Sequence, residues 1–185
     1  MQKSIVWEGL HLDTEEHCAV NYTDTGIVVR SEIEGWAGTK AVYVDYVLEL
    51  KLNWTVKCID IRFTVGTEAQ HFDFEHTEAG WVDNNGGDCA EFAECNYVDI
   101  SLTPFTNSLA VNGLKLQDGQ QTEVEVLYFD ILAGEVRKDT QRYTRLTDGL
   151  YRFENEGGNF SADITVDADG FVTHYPQLFK MLIPH

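Results

Sequence analysis

The stretch AVYVDYVLELK, residues 41–51, alternates between apolar and mixed positions. Val42, Val44, Tyr46, Leu48 and Leu50 fall on one side. Tyr43, Asp45, Val47, Glu49 and Lys51 fall on the other. A period of two sends successive side chains to opposite faces of a pleated strand, so the run reads as a half-buried β-strand. The signature extends outward along the chain. Ile59, Ile61, Phe63 and Val65 share a face within 57–65, and Phe160, Ala162, Ile164 and Val166 lie opposite Ser161, Asp163, Thr165 and Asp167. Shorter runs repeat it near Ile5 and within 27–33, 70–75, 98–102, 114–116, 124–130, 142–146, 151–153 and 172–175. Turn chemistry separates many of them: Asn84-Asn85-Gly86-Gly87, Asp118-Gly119, Asp148-Gly149, Gly157-Gly158 and Asp169-Gly170. The pattern predicts about a dozen strands in an all-β chain, with minor short helices at 90–93, after Pro104 and at 177–181. That many antiparallel strands form a barrel, a roll or a sandwich.

Composition narrows the function classes. The chain has 185 residues, and no linker, repeat or low-complexity run divides it, so one domain over 1–185 is expected. Thirteen basic against 31 acidic residues give a formal charge of −18. Such a balance argues against nucleic acid, which demands a basic footprint, and against anionic membrane surfaces. No apolar run is long enough to span a membrane, and residues 1–10 lack the pattern of a secretory leader, so a cytoplasmic protein without stable membrane insertion is expected. Cys18, Cys58, Cys89 and Cys95 show no CxxC spacing and are expected to be reduced thiols. Arg137, Lys138, Arg142, Arg145 and Arg152 are interleaved with acids, which makes ion pairing their default role.

Three stretches carry groups capable of chemistry. His71, Asp73 and Glu75 lie on one face of a strand, but neighbours on a face are about 7 Å apart, too far to share one metal. No metal or cofactor is therefore expected. Asp60 and Asp99 are carboxylates on otherwise apolar strands, and a facing pair would suit acid–base work. In CNYVDISLTPFTNSLAVNGLKL, residues 95–116, Asp99 sits on an alternating strand that must stop before Pro104. Thr103, Thr106 and Asn107 then offer hydroxyl and amide groups around a bend. They would hold a polar headgroup or close the bend through backbone bonds.

This segment, together with QRYTRL at 141–146, YRFENEGGNFSADITVDADGFVTHYPQLFKML at 151–182, Trp7-Glu8-Gly9-Leu10 and the surroundings of Trp54 and Trp81, resembles the glycolipid-binding family of bacterial β-rich proteins. The matching positions are Asp99, Thr103 to Asn107 with Leu109, Gln141 with Tyr143, and Tyr175-Pro176 with Leu178-Phe179. Two departures stand out: Glu94-Cys95 replaces the family's Gly-Cys, and 109–113 lacks the Leu-Pro and following basic residues usual there. The resemblance implies a strongly curved antiparallel sheet forming an incomplete barrel around a cavity, similar to lipoprotein carriers. It also implies an amphiphilic ligand, a glycolipid or fatty acyl compound. Its acyl chains would lie against apolar side chains, and its head near Asp99, Thr103, Thr106, Asn107, Gln141, Tyr143 and Tyr175. Trp7, Trp54 and Trp81 would line the cavity or plug its ends. Two alternatives stay open: an enzyme on a small sugar or lipid ester with Asp99 as acid or base, and an interaction module with a packed interior. The sequence does not set the oligomeric state.

Overall fold

The computed structural model describes residues 1–155 and 158–182. Fourteen strands form one sheet: β1 (Gln2–Gly9), β2 (Asp13–Tyr22), β3 (Ile27–Ala37), β4 (Lys40–Leu50), β5 (Val56–Val65), β6 (Glu68–Thr77), β7 (Gly80–Asp83), β8 (Tyr97–Ile100), β9 (Gln121–Asp130), β10 (Glu135–Thr147), β11 (Leu150–Asn155), β12 (Ser161–Val166), β13 (Val172–Tyr175) and β14 (Phe179–Leu182). Among the described residues a 3-10 turn covers Ala90–Phe92, and an α-helix, α1, covers Asn107–Leu114.

The spatial order runs from β7 back to β1, then from β14 back to β8. The first and last strands therefore pair in the middle of the sheet, while its outer edges, β7 and β8, are neighbours in sequence. A flat sheet of this width would hold its edges ~62 Å apart. The chain from Asp83 to Tyr97 reaches at most ~50 Å when fully extended. The sheet must curl, and it does. At the seam Trp81 Nε1 donates to Cys95 O at 2.8 Å and Val56 N to Asn96 O at 3.1 Å. Phe74 of β6 meets Phe129 of β9, ring centroids 5.6 Å apart. No ladder joins β7 to β8, so the roll stays open.

The opening stretch is β4, and Val42, Val44, Tyr46, Leu48 and Leu50 are all buried. Their cross-strand partners continue the row: Ile33, Ser31, Val29 and Ile27 on β3, and Phe63, Ile61 and Ile59 on β5. Register is fixed because a slip of one residue would turn Asp45 and Glu49 inward.

Residues 101–114 enter the roll and fill much of it. Phe105 stacks on Phe171 at 6.2 Å and meets the Trp7 ring edge-on at 6.5 Å. The sequence of α1, NSLAVNGL, is a poor helix former and is held by packing rather than propensity. Leu109, Ala110 and Val111 are buried, the Ser108 hydroxyl accepts from Val172 N, and Asn112 Nδ2 donates to Gly170 O. A side chain at Gly113 would strike the Tyr97 ring, so glycine lets α1 lie against β8.

Several expectations are corrected. Residues 114–116 end α1 and are not a strand, and 177–181 is a turn leading into β14, not a helix. The β8–β9 pair is parallel, the one such pair among the described strands. Strand β2 escaped the pattern because Glu16 stands in its inward row with Thr14, Cys18 and Val20. The Gly157-Gly158 turn lies partly outside the described residues. The late basic residues are paired, mostly with acids on neighbouring strands: Arg142 with Glu123, Arg152 with Asp163, Arg137 with Asp130 and Lys138 with Glu125. All four cysteines are free.

Candidate functional site

Burial of polar side chains is costly unless they are hydrogen-bonded, so a cluster of them marks either a structural network or a site. Of the eight buried polar residues among those described, five are Thr103, Thr106, Asn107, Ser108 and Gln141. Thr106, Asn107 and Gln141 join one network around Asp99 beside a pocket of ≈ 250 Å³ that Thr103 also lines, while Ser108 faces β13.

Two turns of backbone geometry build the network. β8 delivers Asp99 and ends at Ile100, and the chain then bends back through Pro104 so that Thr106 returns beside the strand it has left. The Thr106 hydroxyl donates to Asp99 Oδ1 at 2.8 Å and accepts from Ile100 N at 3.3 Å. It therefore closes the bend and fixes the carboxylate at once. β10 enters from the side with alternate residues facing the pocket. Gln141 Nε2 donates to Asp99 Oδ2 at 2.6 Å and reaches Asp139 Oδ2 at 3.4 Å. Behind it the Tyr143 hydroxyl donates to Gln141 Oε1 at 3.4 Å and accepts from Asn107 Nδ2 at 2.9 Å. The floor is a chain of amide, hydroxyl and carboxylate groups locked by one another.

The walls are aromatic. Phe153, Phe160, Tyr175 and Phe179 line one side, and Phe153, Phe160 and Tyr175 pack on each other with centroids 6.2 Å apart. Tyr128 lines the other side, with the Arg137 guanidinium 4.3 Å over its ring. Phe160 remains 38% exposed and with Leu178 forms an apolar rim. Burial pushes the Asp99 carboxyl above its usual range, and Asp139 adds to this, while the bonds from Gln141 and Thr106 and the charge of Arg137 oppose it. Burial, with help from Asp99 and Asp130, also pushes the Tyr128 phenol up to about 12. Tyr143 and Tyr175 are raised well above the usual phenol range, again chiefly by burial, so both hydroxyls stay protonated donors.

Of the residues singled out in the sequence, Asp99, Thr103, Asn107, Gln141 and Tyr175 line this pocket, and Thr106 and Tyr143 brace it from behind. The three tryptophans lie elsewhere. Trp7 is buried in the roll and donates to Val172 O at 2.7 Å, Trp54 packs between Tyr22 and Phe171, and Trp81 closes the seam. Sequence reading passed over Tyr128, Arg137, Asp139, Phe153 and Phe160. Arg137, Asp139, Gln141 and Tyr143 all fall on one side of a period-two strand, a signal that would have joined them.

Asp60 and His71 meet across β5 and β6, with His71 Nε2 3.0 Å from Asp60 Oδ2, and Asp73 completes a group of three. Cross-strand register, Asp60 opposite Asp73, brings in a third group that one strand alone could not supply. These side chains already have partners: Asp60 faces Arg62 at 3.4 Å, and Asp73 accepts from Asn84 at 2.9 Å. Among the described residues no helix is long and apolar enough to cross a membrane.

The fold and the pocket together define an open β-roll with a polar and aromatic recess in one concave half. The chain belongs to the family whose model, described as "Putative glycolipid-binding", matches residues 4–181. It is also similar to a DUF1089 family protein from Pseudomonas aeruginosa of known crystal structure. Identity is 30% over 90% of this chain and 92% of that one, with a TM-score of 0.80. No curated protein matches.

Proposed function

We propose that this protein binds an amphiphile through a sugar headgroup seated in the Asp99–Gln141 pocket. The observation that carries the reading is the placement of a locked carboxylate–amide floor beneath aromatic walls. Sugars present hydroxyl edges that need fixed donors and acceptors, and C–H faces that pack on flat rings. Pockets for drug-sized ligands hold roughly 300–1,000 Å³, so ≈ 250 Å³ suits one sugar ring better than a set of acyl chains. Much of the interior is occupied by α1 and its aromatic neighbours, so the tail would leave over Phe160 and Leu178. The family to which the chain belongs supports the class of ligand.

Calorimetric titration with octyl glucoside tests the proposal. Saturable one-to-one binding is expected, weakened at least tenfold in Gln141→Ala, because the variant loses both a direct contact and the brace on Asp99. Equal affinity in the two proteins would refute the site. A second reading, hydrolysis with Asp99 as acid or base, draws on the upward-shifted carboxyl and the second carboxylate beside it. Release of free sugar during prolonged incubation, abolished by Asp99→Asn, would favour it.

A further inference from the structure

The pocket contains an imbalance of charge that the hydrogen-bonded floor does not require. Asp99 and Asp139 both line it, and a single amide nitrogen, Gln141 Nε2, bridges them at 2.6 and 3.4 Å. Those two carboxylate oxygens therefore stand no more than about 6 Å apart, a range at which like charges repel appreciably in a partly desolvated site. Among the described residues Arg137 is the one cationic side chain lining the pocket, and it is already committed. Its Nη1 lies 3.6 Å from Asp130 Oδ2 and its guanidinium is stacked on Tyr128. Among the described residues no ion pair reaches Asp99 or Asp139. The Arg137 charge favours the ionised form of Asp99 but is shared with Asp130, and the chain as a whole carries −18. The walls add the rings of Phe153, Phe160 and Tyr175, whose quadrupoles attract cations.

We infer that the headgroup this pocket selects carries a positive charge, an amino sugar rather than a neutral hexose, and that carboxylate- or phosphate-bearing headgroups are rejected. An ammonium on the pocket side of Gln141 Nε2, within reach of both carboxylates, would donate hydrogen bonds to them and offset their mutual repulsion. A neutral hydroxyl at the same place donates one bond and leaves the repulsion. An anionic group would add a third negative charge. This inference rests on the pocket being a sugar site, as proposed above.

The test compares three ligands that share a tail: octyl glucosaminide, octyl glucoside and octyl glucuronide, titrated into the full chain at about pH 6.5, where the amine is protonated. The expected order is glucosaminide tightest, glucoside about tenfold weaker and glucuronide at least a further tenfold weaker. The ranking should compress at about 1 M salt, although less than for an exposed pair. In Asp139→Asn the preference for amine over hydroxyl should fall severalfold. The ranking of the three ligands on the unaltered protein decides the matter even if that variant folds poorly. Glucoside or glucuronide binding as tightly as glucosaminide would overturn the charge inference and leave the sugar site standing. Failure of all three to bind would overturn the sugar site itself.

Discussion

Replacing Glu16 by Gln should make the protein more stable at alkaline pH than at acid pH relative to the unaltered chain. Glu16 is 3% exposed in the inward row of β2, facing the interior of the roll. Its Oε1 accepts from the hydroxyls of Ser31 and Tyr46, each at 2.7 Å, and the Thr103 hydroxyl also acts on the carboxyl. Burial pushes this carboxyl from 4.5 up to about 7, against the opposing influence of the Thr103, Tyr46 and Ser31 hydroxyls and the His17 ring. Between those two pH values the folded protein holds a proton that the unfolded chain has released. Stability from this group is therefore fully present below about 4.5 and is lost as pH rises through about 7. Across that interval, at about 1.4 kcal/mol per pH unit, the loss amounts to about 3 kcal/mol as an upper bound. Glutamine keeps the acceptor that Ser31 and Tyr46 use and carries no titrating proton. Urea denaturation of both proteins at intervals from pH 5 to 8 measures the difference directly, and comparing the pair cancels the titration of the other acids. The difference should be small at pH 5 and should grow in favour of Glu16→Gln by up to about 3 kcal/mol at pH 8. A difference independent of pH, or one growing in the opposite sense, would refute the burial argument.

Three further outcomes follow from particular contacts. Lys3 ties β1 to the β12–β13 turn through Asp167 at 2.7 Å and Asp169 at 2.6 Å, beneath the Phe171 ring, so Lys3→Met should cost about 1 kcal/mol in urea denaturation at low salt and less at high salt. Leu109 is fully buried where α1 fills the roll, and Leu109→Ala should lower stability by about 2–5 kcal/mol in the same assay. Glu34 lies directly opposite Glu15 on the outer face, so Glu34→Lys should raise stability by about 0.5 kcal/mol, seen as a rise of ~1–2 °C in melting temperature at low salt.

The architecture was legible wherever burial is one-sided. β4 and β5 alternate cleanly because one face meets the core and the other meets water. The signal failed where a polar residue points inward, as Glu16 does in β2, and where an element is too short to show a period, as in β7 and β14. Local pattern also could not tell residues 114–116 from a strand, since α1 is defined by what it packs against. The pocket was legible in part. Asp99, Thr103, Thr106 and Asn107 are close in sequence and Gln141 and Tyr143 are paired by spacing, so local reading could group each set. Joining the sets requires β8 and β10 to flank β9, a long-range fact of topology. The aromatic walls come from β9, β11, β13 and β14 and the turn before β12, and nothing local in sequence links them.

Saturation-transfer NMR on octyl glucoside with the unaltered protein and with Asp99→Ala tests the central claim most directly. The account predicts that transfer is strongest at the sugar ring protons, because these lie against Phe153, Phe160 and Tyr175, and that it is lost in Asp99→Ala. Transfer confined to the octyl chain and unchanged in Asp99→Ala would contradict it, and would show that the molecule engages the tail without using the Asp99 pocket.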